Sequence, residues 1–159
     1  VLDIEISKIA PEGSRYEGEE PQDIMDVTSE SHLRPAAPVS YDLYVQVVSQ
    51  RLVVRGLVST VIEMECARCT DFFSTTLRDS SFLRAYEIDE GVESIDITDD
   101  LREAMLLLVP SFPVCGQACK GLCSQCGKNL NKGSCGCSGS SADMRWDALN
   151  SLDLDNRAE

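Results

Sequence analysis

Hydrophobic and polar positions alternate most strictly between residues 40 and 65. Tyr41, Leu43, Val45 and Val47 interleave with Ser40, Asp42, Tyr44 and Gln46, the period of two that marks a half-buried strand. After a tight turn near Ser49-Gln50, Leu52, Val54, Val58, Ile62 and Met64 fall on one face of a longer strand, with Arg55, Ser59, Glu63 and Glu65 on the other. Gly56 interrupts that strand and predicts a bulge or bend. A third strand is predicted over Phe72 to Tyr86, which gives an antiparallel meander whose edges need cover. A short strand-like stretch, Leu2 to Ile6, precedes a polar run to residue 38 with Pro11, Pro21, Pro35 and Pro38, read as an arm that packs only in places.

The period then changes. Thr98-Asp99-Asp100 predicts a cap, and Leu101 to Val109 a helix with so little polar face that its place is in the core, against the sheet. Pro110 and Pro113 stop it. Residues 87–103 carry eight acids and one base, Arg102, and read as a solvated acidic loop. From 115 to 137 the chain is rich in Gly and Cys, holds no acid, and has few large apolar residues besides Leu122 and Leu130. Burial alone cannot fold such a stretch, so a bound ion is expected to supply its folding free energy. Ser138 to Ala142 reads as a spacer and Asp143 to Leu152 as a short amphipathic helix with Trp146 and Leu149 as anchors. The fold class expected is α+β: an antiparallel β-meander or partial barrel packed by one core helix, with a Cys-rich zinc-binding segment and a short terminal helix. Residues 1–114 form the β-rich core with its arm and helix, 115–137 the zinc-binding segment, and 138–159 the spacer and final helix.

Charge narrows the function. The 159 residues include 27 acids and 14 bases, a net charge of −13. Broad non-specific nucleic-acid binding needs Lys and Arg to displace counterions, and this composition opposes it. An aromatic content of 6% also leaves little for a wide base-stacking surface. No run of eighteen apolar residues spans a membrane. The opening Val1-Leu2-Asp3-Ile4-Glu5 is acidic and alternating, unlike a signal or transit peptide, so a reducing cytoplasm is expected.

Eight cysteines in a reducing compartment point to metal ligands before disulfides. Cys66 and Cys69 form one CxxC, and Cys123 and Cys126 a second. Cys115 and Cys119 are separated by three residues, and Cys135 and Cys137 by one. Thiolates so spaced can meet a single tetrahedral ion, and eight of them fit two closed four-thiolate zinc sites with none left over. Two divisions are reasonable. Cys66, Cys69, Cys115 and Cys119 could hold one ion and Cys123, Cys126, Cys135 and Cys137 the other; or the two CxxC pairs could meet, leaving Cys115, Cys119, Cys135 and Cys137. The first keeps one site local and costs less loop-closure entropy. With both sites filled, ionised thiolates would take the net charge to about −17. A redox CxxC is the competing reading, but no βαβ unit surrounds residue 66. No catalytic constellation is visible: His32 is the single histidine and reads as solvent-exposed, and no Gly-rich phosphate loop follows a strand.

Three stretches resemble the YceD family. They are Ile4-Glu5-Ile6-Ser7-Lys8-Ile9 with Pro11-Glu12-Gly13, the strand ending in Cys66-Ala67-Arg68-Cys69, and Cys115 through Asn131. The last contains Cys119-Lys120-Gly121-Leu122-Cys123 and Cys126-Gly127-Lys128-Asn129-Leu130-Asn131. The tail Arg145-Trp146-Asp147-Ala148-Leu149 fits the family's short Leu-rich end. The resemblance implies a non-enzymatic role in accumulation of large-subunit ribosomal RNA, in the bacterial cytoplasm or, for a plant chain, the plastid stroma. A ribosomal protein or pre-ribosomal particle is the expected partner, without membrane or small-molecule substrate. Lys120, Lys128 and Lys132 are candidates for a local RNA contact. The alternative function is a zinc-thiol redox switch.

Overall fold

The structure, a computed structural model, describes residues 1–27 and 32–137. It divides into two units: Val1–Ala67 with Asp71–Gln117, and Arg68–Thr70 with Ala118–Glu159, the latter described as far as residue 137. The expected spacer and terminal helix at 138–159 lie outside the described residues.

Among the described residues, the larger unit is mostly antiparallel sheet with one α-helix and no closed barrel. Its centre is the meander expected from the alternation: β4 (Val39–Val48), β5 (Arg51–Glu65) and β6 (Phe72–Glu87). Ser49 and Gln50, both at positive φ, close the β4–β5 turn so that Val48 faces Arg51. Two positive-φ residues match the right-handed twist of the strands they join. Leu43 and Val45 of β4 and Leu52, Val54, Val58, Ile62 and Met64 of β5 are buried, as the pattern predicts, whereas Val47 is exposed at the strand's end.

The register shift does fall at Gly56, and the extra residue is on the partner strand. Val58 pairs with Asp79 but Gly56 with Phe82, so β6 advances three residues while β5 advances two. The Asp79 carboxylate takes both the N–H and the hydroxyl of Ser81 and holds this bulge. The bulge reverses the alternation of β6, which is why Leu77 and Phe82, an odd number of positions apart, are both buried. Gly56 is required on its own strand because a Cβ there would lie 2.1 Å from the Asp42 carbonyl oxygen.

Two expectations are corrected. The amino-terminal arm is built into the sheet: β2 (Ser14–Glu20) pairs along β4 from Ser14–Val45 to Glu20–Val39, and β3 (Leu33–Pro35) pairs with β5. Its acids conceal the strand from a composition reading, although Arg15 places two guanidinium nitrogens on the Asp42 carboxylate at 2.8 Å each. The short strand near the start, β1 (Asp3–Glu5), pairs with β7 (Ser94–Asp96), so part of the predicted acidic loop is a β-ribbon.

The helix α1 spans Thr98–Leu107, and its buried residues Leu101, Ala104 and Met105 follow the 3.6-residue period. The predicted cap is different in kind. Thr98 donates its hydroxyl to Asp96 and accepts the Leu2 N–H, while the Asp96 carboxylate takes the Thr98 N–H. Nor is the helix wholly core, because Leu106, Leu107 and Leu108 are exposed. His32 is exposed, as expected, and is bonded to the Glu65 carboxylate.

Candidate metal centres

The first CxxC occupies the β5–β6 connection, as the strand pattern predicts. Cys66 follows β5 directly and its N–H bonds the Asp71 carbonyl, which closes the hairpin end. Residues after α1 return to this turn: Ala67 N–H meets the Pro113 carbonyl at 2.8 Å, and Cys115 N–H points at the Cys66 sulfur at 3.4 Å. Cys66 and Cys69 are buried; Cys115 is exposed and Cys119 half-buried.

The second CxxC is a tight knuckle in the smaller unit. Gly127 N–H bonds the Cys123 carbonyl at 2.9 Å and Cys123 N–H bonds the Lys128 carbonyl at 2.8 Å. Gly127 has φ +72°, a conformation glycine adopts without strain. The turn aims the N–H groups of Cys126 and Gln125 at the Cys123 sulfur, and these bonds, the first the stronger, pull its thiol down to about 6. Cys137 is pushed the other way, up to about 12, chiefly by its bond to the Cys126 thiol and then by desolvation. Four thiols this close cannot all ionise cheaply without a cation between them.

The sulfurs fall into two groups, Cys66, Cys69, Cys115 and Cys119 in one and Cys123, Cys126, Cys135 and Cys137 in the other. Within each, the ligand atoms all lie within 4.8 Å of one another. This grouping is the more local of the two divisions the spacing allowed. A tetrahedral zinc–thiolate site has sulfurs roughly 3.8 Å apart, as its ~2.3 Å bonds require. Each group could therefore hold a metal ion. The N–H donors aimed at sulfur are those that stabilise a thiolate.

Spacing gave no role to two asparagines that support this architecture. Asn131 donates its amide to the Cys119 sulfur at 3.3 Å and accepts the Lys120 N–H at 2.8 Å. Asn129 donates to the Cys69 carbonyl at 3.4 Å and accepts the Asn131 N–H at 2.9 Å. The signal available in the sequence was the Asn-Leu-Asn run directly after the knuckle. Leu122 N–H completes the framework on the Arg68 carbonyl at 3.0 Å. Of the lysines, Lys128 donates to the Ser134 carbonyl at 2.7 Å, a local task within the loop between cysteine pairs.

Fold and site together define an antiparallel β-protein with one helix and two four-cysteine groups able to hold metal. Residues 84–153 match the family described as large ribosomal RNA subunit accumulation protein YceD. A relative from Arabidopsis thaliana, named large ribosomal RNA subunit accumulation protein YCED homolog 1, chloroplastic, is 38% identical over 61 residues, covering 38% of this chain and 19% of its own. An uncharacterized protein of Mycobacterium tuberculosis is 34% identical over 110 residues, covering 59% of this chain and 52% of its own. One from Mycobacterium leprae is 32% identical over 108 residues, with 59% and 50% covered. Residues 84–153 of the chain are therefore similar to the YceD family. The chain spans between a fifth and about half the length of these curated relatives. The family match begins after Cys69, so it includes neither the amino-terminal stretch nor the first CxxC. No solved structure matches the chain.

Proposed function

We propose that this chain is a non-enzymatic factor for large ribosomal subunit biogenesis that supports accumulation of large-subunit ribosomal RNA and carries structural zinc. The observation that carries the reading is that the family match, residues 84–153, contains the whole second cysteine group. Four soft thiolates and no carboxylate or imidazole suit zinc, and a closed four-thiolate shell leaves no position for substrate. Cys66, Cys69, Cys115 and Cys119 would hold one ion and Cys123, Cys126, Cys135 and Cys137 the other. When bound, zinc supplies the folding free energy that the sparse apolar content of 115–137 does not.

Charge favours protein partners over naked RNA. A chain at −13 complements basic ribosomal proteins before they meet RNA, and steers their encounter. Lys120, Lys128 and Lys132 could add a local RNA contact, but three phosphate contacts contribute little, and lysines beside thiolates also offset their charge. The working place is a bacterial cytoplasm or a plastid stroma.

The test combines metal analysis with depletion in the native host. Two tightly held zincs, unmoved by mild peroxide, and the chain sedimenting with immature large-subunit particles are expected. Zinc release coupled to disulfide formation and a gain of activity would instead establish a thiol switch. An undisturbed large subunit after depletion would overturn the ribosomal role and leave the metal sites standing.

A further inference from the structure

The exit of α1 carries more apolar surface than the core uses. Leu101, Ala104 and Met105 take up the buried stripe, yet Leu107 remains 75% exposed and Phe112, beyond Pro110, 82%. Leu106 and Leu108 are exposed as well. Leu106 and Leu107 line a surface groove of about 500 Å³ together with Asp99, Asp100, Arg102 and Glu103. Adjacent exposed leucines at a helix end, five positions before an exposed aromatic, make the contiguous kind of apolar surface that marks an interaction site.

Three occupants suit an apolar groove, and charge separates them. The chain's own residues 138–159 hold five acids and two bases, and a second copy brings −13. Residues 1–67 and 71–117, which form the larger unit, hold 22 acids and eight bases, so both candidates would meet like charge. The rim is acidic in its exposed parts: the Asp99 side chain is 84% exposed and that of Glu103 61%. Arg102 braces Asp99 at 3.0 Å, and Arg84 braces Asp100 at 2.9 Å and, more loosely, Glu103 at 3.5 Å, which fixes the walls without cancelling the unit's field.

We propose that this groove docks a basic segment of a partner protein, with aliphatic side chains seated on Leu106 and Leu107 and lysines or arginines against Asp99 and Glu103, and with exposed Phe112, outside the groove lining, as a further apolar contact. The inference rests on the protein-partner part of the function proposed above and gives it a location. Apolar contact supplies the residence time, and the acids supply rate and selectivity.

The test measures anisotropy of a labelled amphipathic peptide of leucine and lysine added to the full zinc-loaded chain. Its controls are a peptide of equal composition in scrambled order and a leucine–glutamate peptide of the same pattern. Binding of the first alone is expected, weakening as salt rises. Leu107→Ser with Phe112→Ser should weaken it tenfold or more, and Asp99→Lys with Glu103→Lys should lower both affinity and salt dependence. All four side chains are exposed, so unchanged circular dichroism and metal content are expected and serve as the folding check. Equal binding of the scrambled or acidic peptide, or unchanged binding by the Leu107/Phe112 variant, would overturn the proposal. So would displacement by a synthetic peptide of residues 138–159, or a dimer in sedimentation that the Leu107/Phe112 variant dissolves. A failed peptide assay beside a large-subunit defect on depletion would remove the groove and keep the ribosomal role.

Discussion

The backbone N–H of Cys115 donates to the sulfur of Cys66 at 3.4 Å, although 49 positions separate them in the chain. The protein thus brings the exit of its helix to the end of its central hairpin with ordinary hydrogen bonds, and the Cys66 sulfur, a thiolate once a metal ion is held, is the acceptor. A hydrogen bond to an ionised group contributes about 1.5–3 kcal/mol, roughly twice a neutral one.

Cys66→Ser should therefore do two things. It should lower the bound metal by one equivalent, measured by native mass spectrometry. It should also speed exchange of the Cys115 amide by about tenfold or more, the factor that ~1.5 kcal/mol sets. Metal loss with an unchanged Cys115 amide would mean that the bond contributes nothing to the exit's position.

Asn131 bonds a candidate ligand without being one. Its amide donates to the Cys119 sulfur while its carbonyl holds the Lys120 N–H. Asn131→Ala should weaken metal binding by about 10–100-fold, the usual effect of losing an outer partner of a ligand, while stoichiometry stays the same. Competition with a chelator of known affinity reads this directly. An unchanged affinity would assign Asn131 to the loop's shape alone.

Gly56 is fixed by its neighbour strand. A Cβ would lie 2.1 Å from the Asp42 carbonyl oxygen, and a backbone atom cannot swing aside as a side chain can. Gly56→Ala should cost about 3 kcal/mol, at the upper end for overpacking. Urea denaturation should show a lower midpoint with the same slope.

The link between Asp96 and Thr98 sets a pH dependence. Bonds from the Thr98 hydroxyl and then its N–H hold the Asp96 carboxyl below its ordinary range. A depressed carboxyl stabilises the fold above its unfolded value of about 3.9, and that contribution disappears as pH falls through the folded value. Thr98→Ala, which also removes the acceptor for the Leu2 N–H, should cost about 1 kcal/mol at pH 7. The gap should narrow below about pH 3.9, whereas Thr98→Ser should leave stability unchanged at both pH values. A gap independent of pH would remove Asp96 from the account.

The parts of the fold written in strict alternation were legible. Apart from half-buried Tyr41 and exposed Val47, β4 and β5 bury the side chains that their period of two assigns, and the CxxC lies between the two strands predicted on either side of it. What stayed hidden was set by partners distant in sequence. The strand Ser14–Glu20 exposes Glu17 and Glu19 on a sheet margin and buries Glu20 against the N-terminal ammonium, a pairing distant in sequence, so composition made it look like a loop. The bulge at Ser80-Ser81 moves Phe82 to the buried face, which no period of two could show. Of the site, cysteine identity and local spacing were readable, and so was the more local grouping. The asparagines were not, because a second-layer hydrogen bond to sulfur has no spacing signature.

The central claim is best tested by the ratio of large- to small-subunit ribosomal RNA after depletion of this chain in its native host, with wild-type and Cys126→Ser copies returned. The account predicts that the ratio falls on depletion, recovers with the wild-type copy, and recovers poorly with Cys126→Ser. A ratio that stays level through depletion would contradict it.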